Sequence, residues 1–156
     1  NKARRWKATK PTARAAIQPG SGIAVIATDP CPCGRLDARG RPVPYTRCCA
    51  RFLDGGEPVP DAEHLMRSRY TAFVRQRADW LLATWHPAHR PPSLDFEPGL
   101  TWLGLQVRAH RVTGPDTAEV EFVARSRLGG RATRLHERSR FVCEAGRWLY
   151  LDGDIA

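Results

Sequence analysis

The stretch Trp102 to Asp152, WLGLQVRAHRVTGPDTAEVEFVARSRLGGRATRLHERSRFVCEAGRWLYLD, decides the fold. Apolar residues recur here with period two, the period at which successive side chains of a strand point to opposite faces. Leu103, Leu105, Val107 and Ala109 share one parity, and Val120, Phe122 and Ala124 share another. A third strand spans about Arg134 to Cys143, and a fourth alternates Trp148, Tyr150 and Asp152 with Leu149 and Leu151. Three short turn signals separate them: Gly114-Pro115-Asp116, Gly129-Gly130 and Ala145-Gly146. Four strands joined this tightly form an antiparallel meander.

Upstream the period changes to that of helices. Asp61, after Pro58 and Pro60, has the chemistry of an N-cap, and Leu65, Met66, Arg69, Ala72, Phe73 and Gln76 follow at helical spacing. This predicts a helix to about Arg77. A shorter helix from Asp79 carries Trp80, Leu81, Leu82 and Trp85 and stops near His86, because Pro87 disfavours helical backbone before it. Pro91, Pro92, Pro98 and Gly99 mark a loop. Helices packed on one face of an antiparallel sheet make an α+β fold.

Further upstream, four of the five cysteines fall within nineteen residues: Cys31 and Cys33, then Cys48 and Cys49. Two close pairs across a loop offer four thiolates to one tetrahedral ion, and Gly34 can take the positive φ such a turn needs. Two disulfides or a metal-free redox pair are the competing readings. No secretory signal accompanies the cysteines, and a reducing cytoplasm favours thiolate ligation of zinc, with iron as the alternative. Cys143, in a strand pattern, is expected to be a small buried hydrophobe.

The 156 residues are one domain's worth, and 42% hydrophobic with 26% charged residues is globular composition. The longest aliphatic run, Ile23 to Ala27, is too short for a membrane span or an export signal. The net charge of +9 is unevenly spread: residues 1–30 contribute +5, and the other 126 residues only +4. All three lysines lie in residues 1–30, which show no apolar periodicity and read as a disordered or non-native basic tail. Nucleic-acid affinity is expected to belong mainly to that tail.

The words CPCG, YTRCC, EHLMRSRYTAFV, TWHP, WLGL, ERSRF and RWLYLDG, in that order over residues 31–153, resemble the bacterial YchJ family. The resemblance implies an N-terminal SEC-C metal-binding motif over about 31–56. A domain similar to nuclear transport factor 2 follows over 57–156, with helices covering a strongly curved sheet to form a cone. It places the SEC-C ligands on Cys31, Cys33, Cys48 and Cys49, with a longer loop than usual between the pairs around Asp37 to Pro44. SEC-C motifs in other proteins suggest docking to protein partners or ribosomes.

Inside such a cone the polar residues at apolar positions are of most interest. Arg69 lies between Leu65 and Phe73 on the helix stripe, and Glu137 and Ser139 lie between Leu135 and Phe141 on one strand parity. Arg69 and Glu137 are therefore expected to pair inside, with Ser139, Tyr70 and His86 near them, and Asp152 is expected either at the cavity mouth or capping the final turn. A structural ion pair and a ligand pocket are both compatible with that pattern. His86 is a candidate acid or base, or a helix cap. No partner for His64, His89, His110 or His136 is evident, and no nucleophile motif or phosphate loop is present. Three function classes follow. The first is a cytoplasmic metal-stabilised adaptor for a protein partner. The second is a nucleic-acid or ribosome-associated protein. The third is a small enzyme using His86, Glu137 or Asp152.

Overall fold

A computed structural model describes residues 28–156. The expected character of residues 1–30 falls almost entirely outside the described residues. Asp29 and Pro30 already belong to the cysteine knuckle: the Asp29 carbonyl accepts from the Tyr45 amide at 2.8 Å, and Pro30 bridges to Pro44.

After a 3-10 turn at Tyr45–Arg47 come the helices α1 (Ala50–Leu53), α2 (Ala62–Val74) and α3 (Ala78–Ala83). The strands are β1 (Thr101–Gly114), β2 (Thr117–Leu128), β3 (Arg131–Glu144) and β4 (Arg147–Ile155). They pair antiparallel in the order β1-β2-β3-β4, so β1 and β4 are the edges. The third strand begins three residues earlier than its apolar pattern shows, because Gly129 and Gly130, both at positive φ, make a two-residue turn that pairs Arg131 directly with Leu128.

Helix α2 is the centre of the molecule. Asp61 caps it by accepting from the His64 amide at 2.8 Å and contacting the His64 ring at 2.7 Å. The helix ends at Val74, short of the expected Arg77. Gln76 adopts φ 55°, the Gln76 amide donates to Phe73 and the Arg77 amide donates to Ala72. This is a Schellman ending built on glutamine where glycine is usual, which hides it from a sequence reading. Leu65, Met66, Arg69, Tyr70 and Phe73 are buried, and so are Ser68 and Thr71, so α2 is enclosed by the sheet on one side and by the knuckle and α3 on the other. Phe73 packs on Phe96 and Trp102, and Tyr70 packs on Trp102.

Three bulges reverse expected side-chain directions. A register shift between Trp102 and Gly104 turns Leu103 outward, 44% exposed, and brings Trp102 to the core side with Leu105 and Val107. A second, between Val107 and Ala109, carries Ala109 off that side and opposite Glu121. A third, between Arg140 and Phe141, pairs Phe141 with Tyr150 but Arg140 with Asp152. Leu151 is the extra residue there, so Tyr150 faces the core and Asp152 does not. Cys143, expected to be buried, is only half-buried beside Trp148 near the end of β3.

Candidate functional site

The knuckle is assembled from two short turns. Cys31 and Cys33 sit on a tight turn closed by the Gly34 amide donating to the Cys31 carbonyl, with Gly34 at φ 76°. Cys48 and Cys49 follow the 3-10 turn and lead into α1. The intervening loop folds back on itself: Asp37 Oδ1 accepts from the amides of Arg39 and Arg41, and the Asp37 amide donates to the Arg41 carbonyl. The Cys31 amide then donates to Val43 and the Val43 amide to Arg35. A long loop that satisfies its own backbone leaves both cysteine pairs free to converge.

All four sulfur atoms lie within 4.8 Å of one another, and all four residues are buried and free of disulfides. Cys33 Sγ and Cys48 Sγ are 3.5 Å apart. A tetrahedral thiolate site with metal–sulfur bonds of about 2.3 Å has sulfur edges of about 3.8 Å, so this spacing fits one four-coordinate ion with no open position. The sulfurs perturb one another strongly: hydrogen bonds from Cys33, then Cys48 and Cys49, pull the Cys31 thiol down, and Cys31 foremost pushes Cys49 up. Four protons can leave such a cluster only when a cation takes up the charge.

The surroundings carry that charge complement. Arg67 Nη1 donates to the Cys33 carbonyl at 3.0 Å, and Arg51 Nε donates to the Cys48 carbonyl at 3.1 Å. Arg75 lies over the Tyr45 ring and bonds the Tyr45 hydroxyl, which donates to Asp54. Thr71 Oγ1 is 3.3 Å from Cys49 Sγ and 3.7 Å from Cys31 Sγ. Sequence reasoning missed Thr71, because nothing near it in the sequence marks partners that lie on the knuckle.

On the other side of α2 lies a polar interior. Arg69, Glu137 and Ser139 are fully enclosed, and Tyr150 nearly so. Arg69 and Glu137 do not meet head to head as expected. The Arg69 guanidinium donates through Nη1 to the Leu81 carbonyl at 2.8 Å and to Thr84 Oγ1 at 2.7 Å, and lies over the rings of Tyr150 and Trp85 at 4.7 and 5.1 Å. Ser139 Oγ donates to Glu137 Oε2 at 2.6 Å, and the Tyr150 hydroxyl reaches the same oxygen at 3.4 Å. Tyr150 thus joins the two charges, its ring under the cation and its hydroxyl on the carboxylate. Tyr150 stands between them because the hairpin register pairs it with Phe141 on the core side. Burial lowers the Arg69 pKa to about 10, an effect the charge of Glu137 partly offsets. Nε and Nη2 of Arg69 and Nε1 of Trp85 have no hydrogen-bond partner, so the aromatic faces carry much of the cation's stabilisation.

The remaining candidates lie elsewhere. Tyr70 is buried with its ring edge-on to Trp102, and burial pushes its hydroxyl pKa up. His86 contacts Glu144 at 3.0 Å at the end of the sheet, and its Nδ1 accepts from the Ala88 amide. Asp152 is paired with Arg140 at 2.6 Å on the outer face and does not reach the interior. The expected grouping of His86, Glu137 and Asp152 is therefore not formed. His136 pairs with Glu121 at 2.7 Å, His64 serves the Asp61 cap, and His110 lies 3.9 Å from Glu63. Among the described residues no helix is long and apolar enough to cross a membrane.

A curved four-stranded meander covered by helices, with a four-cysteine knuckle before it, defines a nuclear transport factor 2-like protein of the SEC-C-bearing kind. Residues 61–153 match the family described as YchJ, middle NTF2-like domain, and the chain belongs to that family. It is 62% identical over 143 residues to a UPF0225 protein of Polaromonas sp. strain JS666, covering 90% of this chain and 97% of the relative. A UPF0225 protein of Cupriavidus metallidurans is 50% identical over 140 residues, covering 86% and 94%. Two solved structures are similar, both of SEC-C motif containing proteins. One, from Rhodopseudomonas palustris, has TM-score 0.69 and 30% identity and covers 82% of this chain and 99% of its own. The other, from Psychrobacter arcticus, has TM-score 0.69 and 31% identity and covers 83% and 84%.

Proposed function

We infer that the chain is a zinc-dependent binding module of the cytoplasm, in which the knuckle is structural and presents a surface to a protein partner. The observation that carries this reading is the closed cage of four buried sulfurs ringed by Arg51, Arg67 and Arg75. A tetrathiolate around a divalent ion carries a net charge near −2, which neighbouring guanidinium groups offset. Zinc suits an all-sulfur tetrahedral shell that needs no redox chemistry, and a saturated shell leaves no position for activating water. Iron fits the same ligands and is distinguished by its visible absorption. Elemental analysis of protein purified under reducing conditions should return about one zinc per chain; two disulfides and no metal would refute the reading.

The surface fitted to a partner is a groove of about 440 Å³ between the knuckle and edge strand β1, lined by Gly34, Leu36, Arg67, Leu105 and Val107. Leu36 is 57% exposed at its rim, and Leu103 and Val112 are exposed along the same strand. Arg35, Arg67 and His110 share the single carboxylate of Glu63, so the groove suits an extended segment that is apolar with an acidic residue. A photo-crosslinker at position 36 should give one defined adduct in cells, lost on Cys33→Ser. Adducts unchanged by that substitution would separate the groove from the metal. An enzymatic role draws little from the interior, where Glu137 stands without His86 or Asp152.

A further inference from the structure

The outer face of the sheet is divided into two electrostatic halves. Toward the β3–β4 turn, charges alternate across the strands: Arg111, Glu119, Arg140 and Asp152 form one row, and Glu121, Arg138 and Asp154 lie in the next. Arg140 bonds both Asp152 and Asp154, and Glu121 bonds His136. Toward the β2–β3 turn the alternation stops. Arg125 and Arg134 face each other directly across the strand pair, Arg127 follows on the same face, and Arg131 stands at the hairpin end. All four are exposed, and none makes an ion pair with a described residue. The neighbours across to β1 are Gly104 and Thr101, with the outward Leu103 of the bulge between them, and none of the three is an acid that could pair them.

Like charges directly opposed in an antiparallel pair destabilise it. A fold that balances charge in one half of a face and concentrates it in the other holds the second half ready for an anion. We propose that this end of the outer face binds the phosphodiester backbone of a nucleic acid. The surface is open, Arg125 and Arg127 step along one strand about 7 Å apart on one face with Arg134 opposite, and Arg131 extends the row at the hairpin end, which suits a chain of repeated charges. Guanidinium forks take phosphate oxygens bidentately, and no exposed aromatic side chain stands among them to read bases, so binding is independent of sequence. The site lies apart from the groove beside the knuckle and stands whether or not that groove takes a partner.

The test uses the full chain and a fluorescent oligouridylate, with affinity followed from 50 to 200 mM salt. Four phosphate contacts to a single strand give about 3 units of slope in log K against log salt, or about 50-fold over that range. Replacing Arg125, Arg127, Arg131 and Arg134 together by serine should remove that share of the slope. The basic residues 2–14 are common to both proteins and cancel in the difference. In a second variant, Arg134→Glu, an attractive pair replaces the opposed arginines, so Tm should rise while RNA affinity falls. An unchanged slope in the serine variant would overturn the proposal. So would displacement of the RNA by polyglutamate at equal charge concentration, which would assign the face to an acidic protein, or a lower Tm for Arg134→Glu with RNA affinity intact.

Discussion

One helix serves two regions that solve the problem of buried polarity in opposite ways. From α2, Arg67 and Thr71 reach toward the four cysteines, while Arg69 turns into the cone against Tyr150 and Trp85. The knuckle gathers like groups, four sulfurs whose charge demands a counterion. The interior gathers unlike groups, a cation and a carboxylate joined through an aromatic ring, and needs nothing from outside to be neutral. Chain order reflects the difference: the ligands come from two turns nineteen residues apart end to end, whereas Arg69, Glu137 and Tyr150 come from a helix and two strands. The first region has the donor set to take an ion, and the second is closed by the completed fold.

The largest effect should follow removal of the metal. Cys33→Ser or Cys49→Ser should abolish stoichiometric metal and destabilise the protein by on the order of 5 to 10 kcal/mol, since metal-binding free energy in such sites is folding free energy. Denaturant titrations with and without a chelator measure it. Hydrogen exchange should rise first in residues 31–53 and later in β2 and β3. Simultaneous loss throughout the chain would show the two regions to be one cooperative unit, as their shared buried cluster through Phe52, Leu53 and Leu65 allows.

The interior should respond next. Arg69→Met or Glu137→Gln removes one charge of a buried set and should cost about 3 to 5 kcal/mol with the metal retained. The double variant Arg69→Met, Glu137→Gln should recover part of that loss, because neither charge is then left uncompensated. Strict additivity would mean that Tyr150 does not couple them. The pH dependence has a defined sign. Arg69 is held below its unfolded pKa, so the folded state binds fewer protons than the unfolded one from about pH 10 up to the ordinary arginine range, and this group's contribution to stability rises across that window.

Much of this was legible in the sequence, for reasons specific to each element. The strand turns are marked by Gly-Gly, Ala-Gly and Gly-Pro-Asp, and the burial of Arg69, Glu137 and Ser139 follows from the parity of their apolar neighbours. The cysteine spacing is local and survives the lengthened loop because Asp37 closes it. What failed did so by single residues. Bulges at Leu103, Arg108 and Leu151 each reverse a parity, and the last moves Asp152 from interior to exterior. Gln76 ends α2 without a glycine, and Tyr150, paired with Phe141 on the core side, separates Arg69 from Glu137. Thr71 was invisible because its partners lie on the knuckle, forty residues away in the case of Cys31.

The helix shared by both regions offers a third, smaller test. Asp61→Ala removes the α2 cap and should cost about 1 kcal/mol. Burial alone would raise the Asp61 pKa, but bonds from the His64 amide and ring hold it below its ordinary value. The stabilisation is therefore present above the unfolded pKa near 4 and is lost as pH falls through the folded one. Metal content should not change. A loss of metal on capping failure would show that α2 transmits strain from its first turn to Thr71.

The smallest expected effect belongs to Asp152, and it tests the boundary of the interior itself. Strict alternation from Tyr150 would carry Asp152 inward, next to a buried cation, where its removal would cost as much as that of Glu137. The bulge instead sets it against Arg140, whose guanidinium is held well above its ordinary pKa first by Asp154 and then by Asp152. Both partners are about a third exposed, and Asp154 remains to hold Arg140 when Asp152 is neutral. Asp152→Asn should accordingly cost about 0.2 to 1 kcal/mol, less at high salt, as exposed ion pairs do. Arg140→Gln should cost no more than that. A salt-insensitive loss of about 3 kcal/mol from Asp152→Asn would place the carboxylate inside the cone. It would also undo the separation of the buried charges from the outer face.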